Sequence, residues 1–135
     1  VSIQITLSEP TTDAIAQMQH GADLYAEALA DEARDRFRDR AHVITGAMRQ
    51  SASVITAYGS DYAENVGRAA ELNPAANFAS EMHAERGEAL VQVPVGYAAF
   101  EEFGTSRRPA HPALVPAVES VAADAEAIAR RVFNL

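Results

Sequence analysis

Apolar residues recur at steps of three or four from Ile15 through Met18, Ala22, Tyr25, Leu29, Ala33, Phe37 and Ala41 to Ile44, the spacing of one face of an α-helix. The other side carries Asp23, Glu27, Asp31, Arg34, Asp35, Arg38 and Asp39, with Asp31–Arg34 and Glu32–Arg36 at helix-pairing separations. This pattern predicts one long amphipathic helix over 15–44 whose charged side is a solvated surface. Polar residues from Ser8 to Asp13 supply N-caps, Pro10 suits a first turn, and Thr45-Gly46 ends the helix with Gly46 as a left-handed cap. Gly21 costs it about 1 kcal/mol relative to alanine, which favours fraying of the first turns. Upstream, Val1 to Leu7 alternates and predicts a short strand with Ile3, Ile5 and Leu7 on one face.

Downstream, Ala47 to Tyr58 is rich in Ser, Val, Ile, Thr and Tyr and reads as a strand. Asn73-Pro74 divides residues 59–87, leaving two short candidate helices, Asp61 to Leu72 and Ala75 to Glu85. In Glu88 to Val95, alternation of Val91, Val93 and Val95 predicts a strand, and Pro94 puts it at a sheet edge or beside a bulge. Tyr97 to Gly104 forms one or two helical turns with Phe100 and Phe103 on one face. A basic loop, Thr105 to Pro109, leads to a last helix that starts at Pro112 with Leu114, Val118, Val121, Ala125, Ile128 and Val132 as its stripe. The fold class expected is α+β: a small antiparallel sheet packed with a long N-terminal helix and a C-terminal helix, in one domain over 1–135.

Composition narrows the chemistry. The chain has 135 residues, 48% of them hydrophobic, enough for one core. Its net charge of −8, from 19 acidic against 11 Lys and Arg residues, argues against tight nucleic-acid binding. The same charge is compatible with a lumen through which a duplex slides. There is no cysteine, which excludes disulfides, thiolate metal sites and cysteine nucleophiles. No signal peptide and no run near the roughly 18 apolar residues of a membrane span is legible, so a soluble protein made in a cytoplasm, without membrane partners, is expected. His20, His42, His83 and His111 form no close metal-ligand spacing, and Glu81, His83 and Glu85 read as solvent-facing. Glu101 and Glu102 diverge by about 100° on a helix and make a poor catalytic pair. No catalytic, cofactor or metal residues are assigned, and no enzyme is expected.

Two segments carry a resemblance. Val43-Ile44-Thr45-Gly46-Ala47-Met48-Arg49-Gln50-Ser51, after a long helix, resembles the Thr-Gly-x-Leu-Arg-x-Ser turn of the phage tail-completion and head–tail joining proteins of long-tailed phages. Residues 96–117, including Tyr97, Phe100, Glu102, Phe103, Gly104, Thr105, Pro109, Ala110, Pro112, Leu114, Pro116 and Ala117, are similar to that family's Tyr-Ala-x-x-x-Glu-Phe-Gly-Thr…Pro-Ala-x-Pro-Phe-Leu-x-Pro-Ala signature. Met48 stands for the usual leucine, a volume-conserving change. Ala113 stands for a phenylalanine, removing an aromatic plug, and Val115 stands where an arginine is common. Residues 59–87 are longer than the family's hairpin region and form a candidate insertion.

The resemblance implies a structural subunit of the virion neck or head-proximal tail, assembled in the host cytoplasm. It implies a homo-oligomeric ring, hexameric in related proteins, that meets connector, stopper or adaptor proteins on one side and tube or terminator proteins on the other. DNA would pass through its channel without sequence-specific binding. Phe100, Phe103 and Leu114 are expected as core anchors, and Glu102 as the acceptor for Arg49, Arg107 or Arg108, within the chain or across a subunit boundary. Arg107 and Arg108 otherwise decorate an exposed loop. The rival readings are a small cytoplasmic adaptor or regulator that dimerises through its long helix and, less favoured, an enzyme with a site assembled from His83, His111 and the glutamates.

Overall fold

The computed structural model describes residues 2–4 and 11–135. Most of the expected strand at 1–7 lies outside them, and Ser2–Gln4 have no regular structure. The long helix, α1, runs Thr12–Arg40, about 43 Å at 1.5 Å per residue. Thr11 caps it, its hydroxyl accepting from the Ala14 N–H at 3.1 Å. Only the second half of α1 is deeply packed, through Ala30, Ala33 and Phe37, while Ile15 and Met18 are exposed. The helix stops four residues before Ile44, because Ala41 leaves the helical conformation. Val43 and Ile44 are therefore exposed rather than part of its stripe.

Residues 47–58 are not one strand. Ala47–Ser51 form a short helix, α2, and the strand β1 is only Ser53–Thr56. Gly46 is left-handed, at φ 85°, but it stands at the start of α2 instead of closing α1. The helical choice is reinforced from both ends. Thr45 Oγ1 accepts from the Ala47 N–H, and the Arg38 guanidinium donates to the carbonyls of Arg49 and Ala52 at 3.2 and 2.9 Å. A cation there complements the carbonyl end of a helix; burial pushes the Arg38 pKa down from its usual value.

A turn at Ala57-Tyr58 leads to β2 (Gly59–Ser60), and β3 is Ala89–Gln92. The antiparallel sheet has the order β2-β1-β3, with Val54 opposite Val91 and Ile55 opposite Leu90. Helix α3, Tyr62–Leu72, matches the expected 61–72 segment. Its N-cap Asp61 accepts from the Val54 N–H at 2.9 Å and pairs with Arg34 of α1. One carboxylate thus ties α1, β1 and α3. Asp61→Ala removes an acceptor from a strand N–H and a partner from a half-buried guanidinium, so it is expected to destabilise the fold by about 2 kcal/mol. Urea unfolding monitored by circular dichroism measures this directly; an unchanged midpoint would refute it.

The second helix expected in the 59–87 region, over 75–85, does not form. Asn77–Ala79 instead pairs with Pro94–Gly96, the Ala79 N–H donating to the Pro94 carbonyl at 2.7 Å and the Gly96 N–H to Asn77 at 2.8 Å. The buried Gln92 amide adds two bonds, to the Ser80 carbonyl and from the Met82 N–H. These partners satisfy the backbone that a helix would have satisfied internally. The pairing lies just past the end of β3, where Pro94 has no N–H to offer.

Helix α4 is Ala98–Phe103. The C-terminal helix is two helices, α5 (Leu114–Ala123) and α6 (Ala125–Val132), broken at Asp124. At the break, Arg36 pairs with Asp124 at 2.8 Å and the Tyr25 hydroxyl donates to the Ala125 carbonyl. Bending there turns Ile128 and Val132 onto Ala33 and Leu29 of α1. A second cluster joins Phe37, Met48, Ala52, Val95, Ala113 and Ala117, with Tyr97 and Leu114 packed against it. The protein is an α+β fold: a long N-terminal helix, a small antiparallel sheet and C-terminal helices. No described helix is long and apolar enough to cross a membrane.

Candidate functional site

The two signature segments, some forty residues apart along the chain, meet at one end of the molecule. In the first, Ala47 and Met48 are buried, and Ser51 is buried with its hydroxyl donating to the Met48 carbonyl at 2.9 Å. Thr45 and Arg49 face out. Met48 shares one hydrophobic cluster with Ala113 and Ala117 of the second segment. Ala113, where a phenylalanine was the reference, is 1% exposed and packs directly into that cluster.

Glu102 has a partner that sequence reasoning missed. Its carboxylate accepts the backbone N–H groups of Ala113, Leu114 and Val115 at 2.7, 2.9 and 2.7 Å. It caps α5 from outside, since Ala113, at the N-cap position, supplies no side-chain acceptor. The accounting at this helix end is complete: Pro116 has no N–H, and the Ala117 N–H already bonds to the Ala113 carbonyl. A negative group there is also favoured by the helix dipole. Among the described residues no ion pair joins Glu102 to Arg49, Arg107 or Arg108, which overturns the expected contact within the chain.

Phe100 and Phe103 are not core anchors. They are 61% and 74% exposed on the outer face of α4, whereas Leu114 does pack against the core. Helix α4 is only six residues long, and its inner side is already used by Ala98, Glu101 and Glu102. Gly104 ends it at φ 74°, ψ 179°, a conformation essentially restricted to glycine. The loop beyond is closed by Thr105, whose hydroxyl accepts from the N–H groups of Arg107 and Arg108 at 3.2 and 3.1 Å. Pro109 and Pro112 follow on the exposed side, and the His111 N–H returns to the Glu101 carbonyl at 2.6 Å.

Between the end of α1, helix α4 and this loop lies a groove of about 700 Å³, bordered by His42, Ile44, Tyr97, Phe100, Arg107, Arg108 and Pro109. Within it His42, Glu101 and His111 converge. The His42 Nδ1 is 3.2 Å from a Glu101 carboxylate oxygen, and the two imidazole rings are 4.4 Å apart. One nitrogen from each histidine and one Glu101 oxygen all lie within 4.8 Å of one another. Nothing in the linear spacing of these three residues signals this; only the closure of the 104–111 loop creates it. By contrast His83 and Glu85 form an exposed surface pair, as their alternation indicated. Adjacent Glu101 and Glu102 indeed diverge, one to the groove and one to α5.

Comparison with known protein families, with characterised proteins and with solved structures gives no match for this chain.

Proposed function

We propose that the protein is a structural ring subunit of a tailed-phage particle, completing the tail and joining it to the head around a DNA channel. The observation that carries this reading is the fate of the signature residues. Those that face inward, Met48, Ser51, Glu102, Gly104, Leu114 and Pro116, have definite roles in building one end of the fold. Those that face outward are Phe100, on one groove wall with Arg107 and Arg108, and Phe103, against Leu114 and Val115; both rings are mostly exposed in the monomer. Burying what remains exposed of each ring is worth about 1–2 kcal/mol, and aromatic residues with arginine are the usual composition of an interface centre. The acidic remainder of the surface is compatible with passage of DNA without adhesion.

Phe103→Asp tests the reading without attacking the fold. Because the ring is exposed, the variant is expected to unfold within about 1 kcal/mol of the parent, while particles assembled with it accumulate as separate filled heads and tails. Electron microscopy and infectivity of complemented lysates measure the effect. Normal infectious particles would exclude this face from joining.

An adaptor that dimerises through α1 is the second reading, favoured by exposure of Ile15, Met18 and Leu24 on that helix. A dimer that dissociates on Met18→Asp, and is indifferent to neck and tail proteins, would select it.

A further inference from the structure

We propose that His42, Glu101 and His111 form a binding site for a divalent first-row transition ion of the Zn²⁺ type. Two imidazole nitrogens and one carboxylate oxygen are a donor set suited to Zn²⁺, Co²⁺ or Ni²⁺, and unsuited to the all-oxygen preference of Ca²⁺ or Mg²⁺. The spacing fits as well. With bonds near 2.0–2.1 Å, neighbouring ligands of a tetrahedral ion stand about 3.3 Å apart; His42 Nδ1 and the Glu101 oxygen are at 3.2 Å. The remaining ligand atoms lie within 4.8 Å of these, and both imidazoles are exposed side chains that can rotate toward the ion.

The three residues are placed by separate, defined constraints. His42 follows the capped end of α1, where the Ala41 N–H bonds to the Phe37 carbonyl at 2.8 Å. Glu101 lies in α4, its side chain only 15% exposed. His111 is held to the same helix by its own N–H on the Glu101 carbonyl. Three protein ligands facing an open groove leave a fourth position for water or an external donor, the arrangement of an exchangeable rather than a closed structural site. Arg107 and Arg108 on the groove wall favour an anionic group in that position. Without an ion the same contacts amount to a His–Glu hydrogen bond and a tilted pair of histidine rings, and this is the alternative to be excluded. The ion site shares Phe100, Arg107 and Arg108 with the proposed joining face, but its argument does not rest on the ring assignment and its test uses the unassembled chain.

Isothermal titration of the full chain with Zn²⁺ at neutral pH, alongside visible absorption with Co²⁺, decides between them. One ion per chain is expected, with the intensified d–d bands of a low-symmetry Co²⁺ site. His42→Ala, His111→Ala and Glu101→Gln should each weaken binding by more than about a hundredfold, beyond what loss of an outer-sphere partner commonly costs. Their melting curves without metal should stay close to the parent, and His83→Ala should bind normally. Absence of saturable binding would overturn the proposal. So would binding that survives His42→Ala and His111→Ala, or that is lost with His83→Ala.

Discussion

Gly104→Val is expected to be the most damaging single substitution in the chain, costing about 3–5 kcal/mol. Two penalties coincide at this position. The backbone lies at φ 74°, ψ 179°, where a β-branched residue is strained by about 1–3 kcal/mol. A Cβ built there would also stand 2.8 Å from the Ala110 nitrogen and 3.0 Å from the Arg108 oxygen. Both are backbone atoms, so no side chain can swing aside. Relief requires the whole 105–111 loop to move, which breaks the bond from His111 to Glu101 and opens the groove. Gly104→Ala should be nearly as harmful, because the clash is already complete at Cβ. Urea unfolding measures the loss, and amide exchange at His111 locates it. A variant with the parent's midpoint and a protected His111 amide would refute the assignment.

Glu102→Ala should follow closely, at about 3 kcal/mol. It strips the acceptors from three N–H groups at the start of α5 and removes a negative charge from the positive end of the helix dipole. A conventional cap deletion costs about 1 kcal/mol; here one carboxylate replaces the whole capping arrangement and joins α4 to α5 as well. Glu102→Gln, which keeps one carbonyl oxygen but no charge, should fall between parent and alanine. Chemical denaturation of the three proteins gives the order. If the alanine variant lies within about 0.5 kcal/mol of the parent, water replaces the carboxylate and the cap is idle.

How much of this was legible in the sequence depends on the range of the forces involved. Helix α1 and helix α3 announce themselves because periodic burial writes itself into local spacing. Gly46 and Gly104 are likewise readable, since a left-handed backbone strongly favours glycine. The 47–51 segment misleads because its helix is held at the carbonyl end by Arg38, a residue nine or more positions away. Residues 75–85 have helix-compatible composition, yet Gln92 and Pro94 supply the hydrogen bonds that draw them into an extended path. The break at Asp124 depends on Arg36 and Tyr25 reaching over from α1. For Phe100 and Phe103, spacing identifies a shared face but not which way that face points. Glu102 was matched to an arginine, whereas within the chain it takes backbone N–H groups, because a cation in sequence is visible and three backbone N–H groups are not. The His42–Glu101–His111 cluster has no linear signature at all.

The free portion of α1 has a consequence for local stability. Residues 12–20 extend the helix beyond the packed region, nearly all of them exposed. Nine residues are too few to hold a helix alone, since isolated segments shorter than about 12–15 residues are marginal in water. They stay helical because the packed half has already met the cost of nucleation, and each added turn needs only propagation, which is close to neutral per residue. Order along α1 is therefore graded: cooperative with global unfolding at Phe37, and near thermal balance by Thr12. Whatever settles on that end would set the length of the helix without perturbing the core.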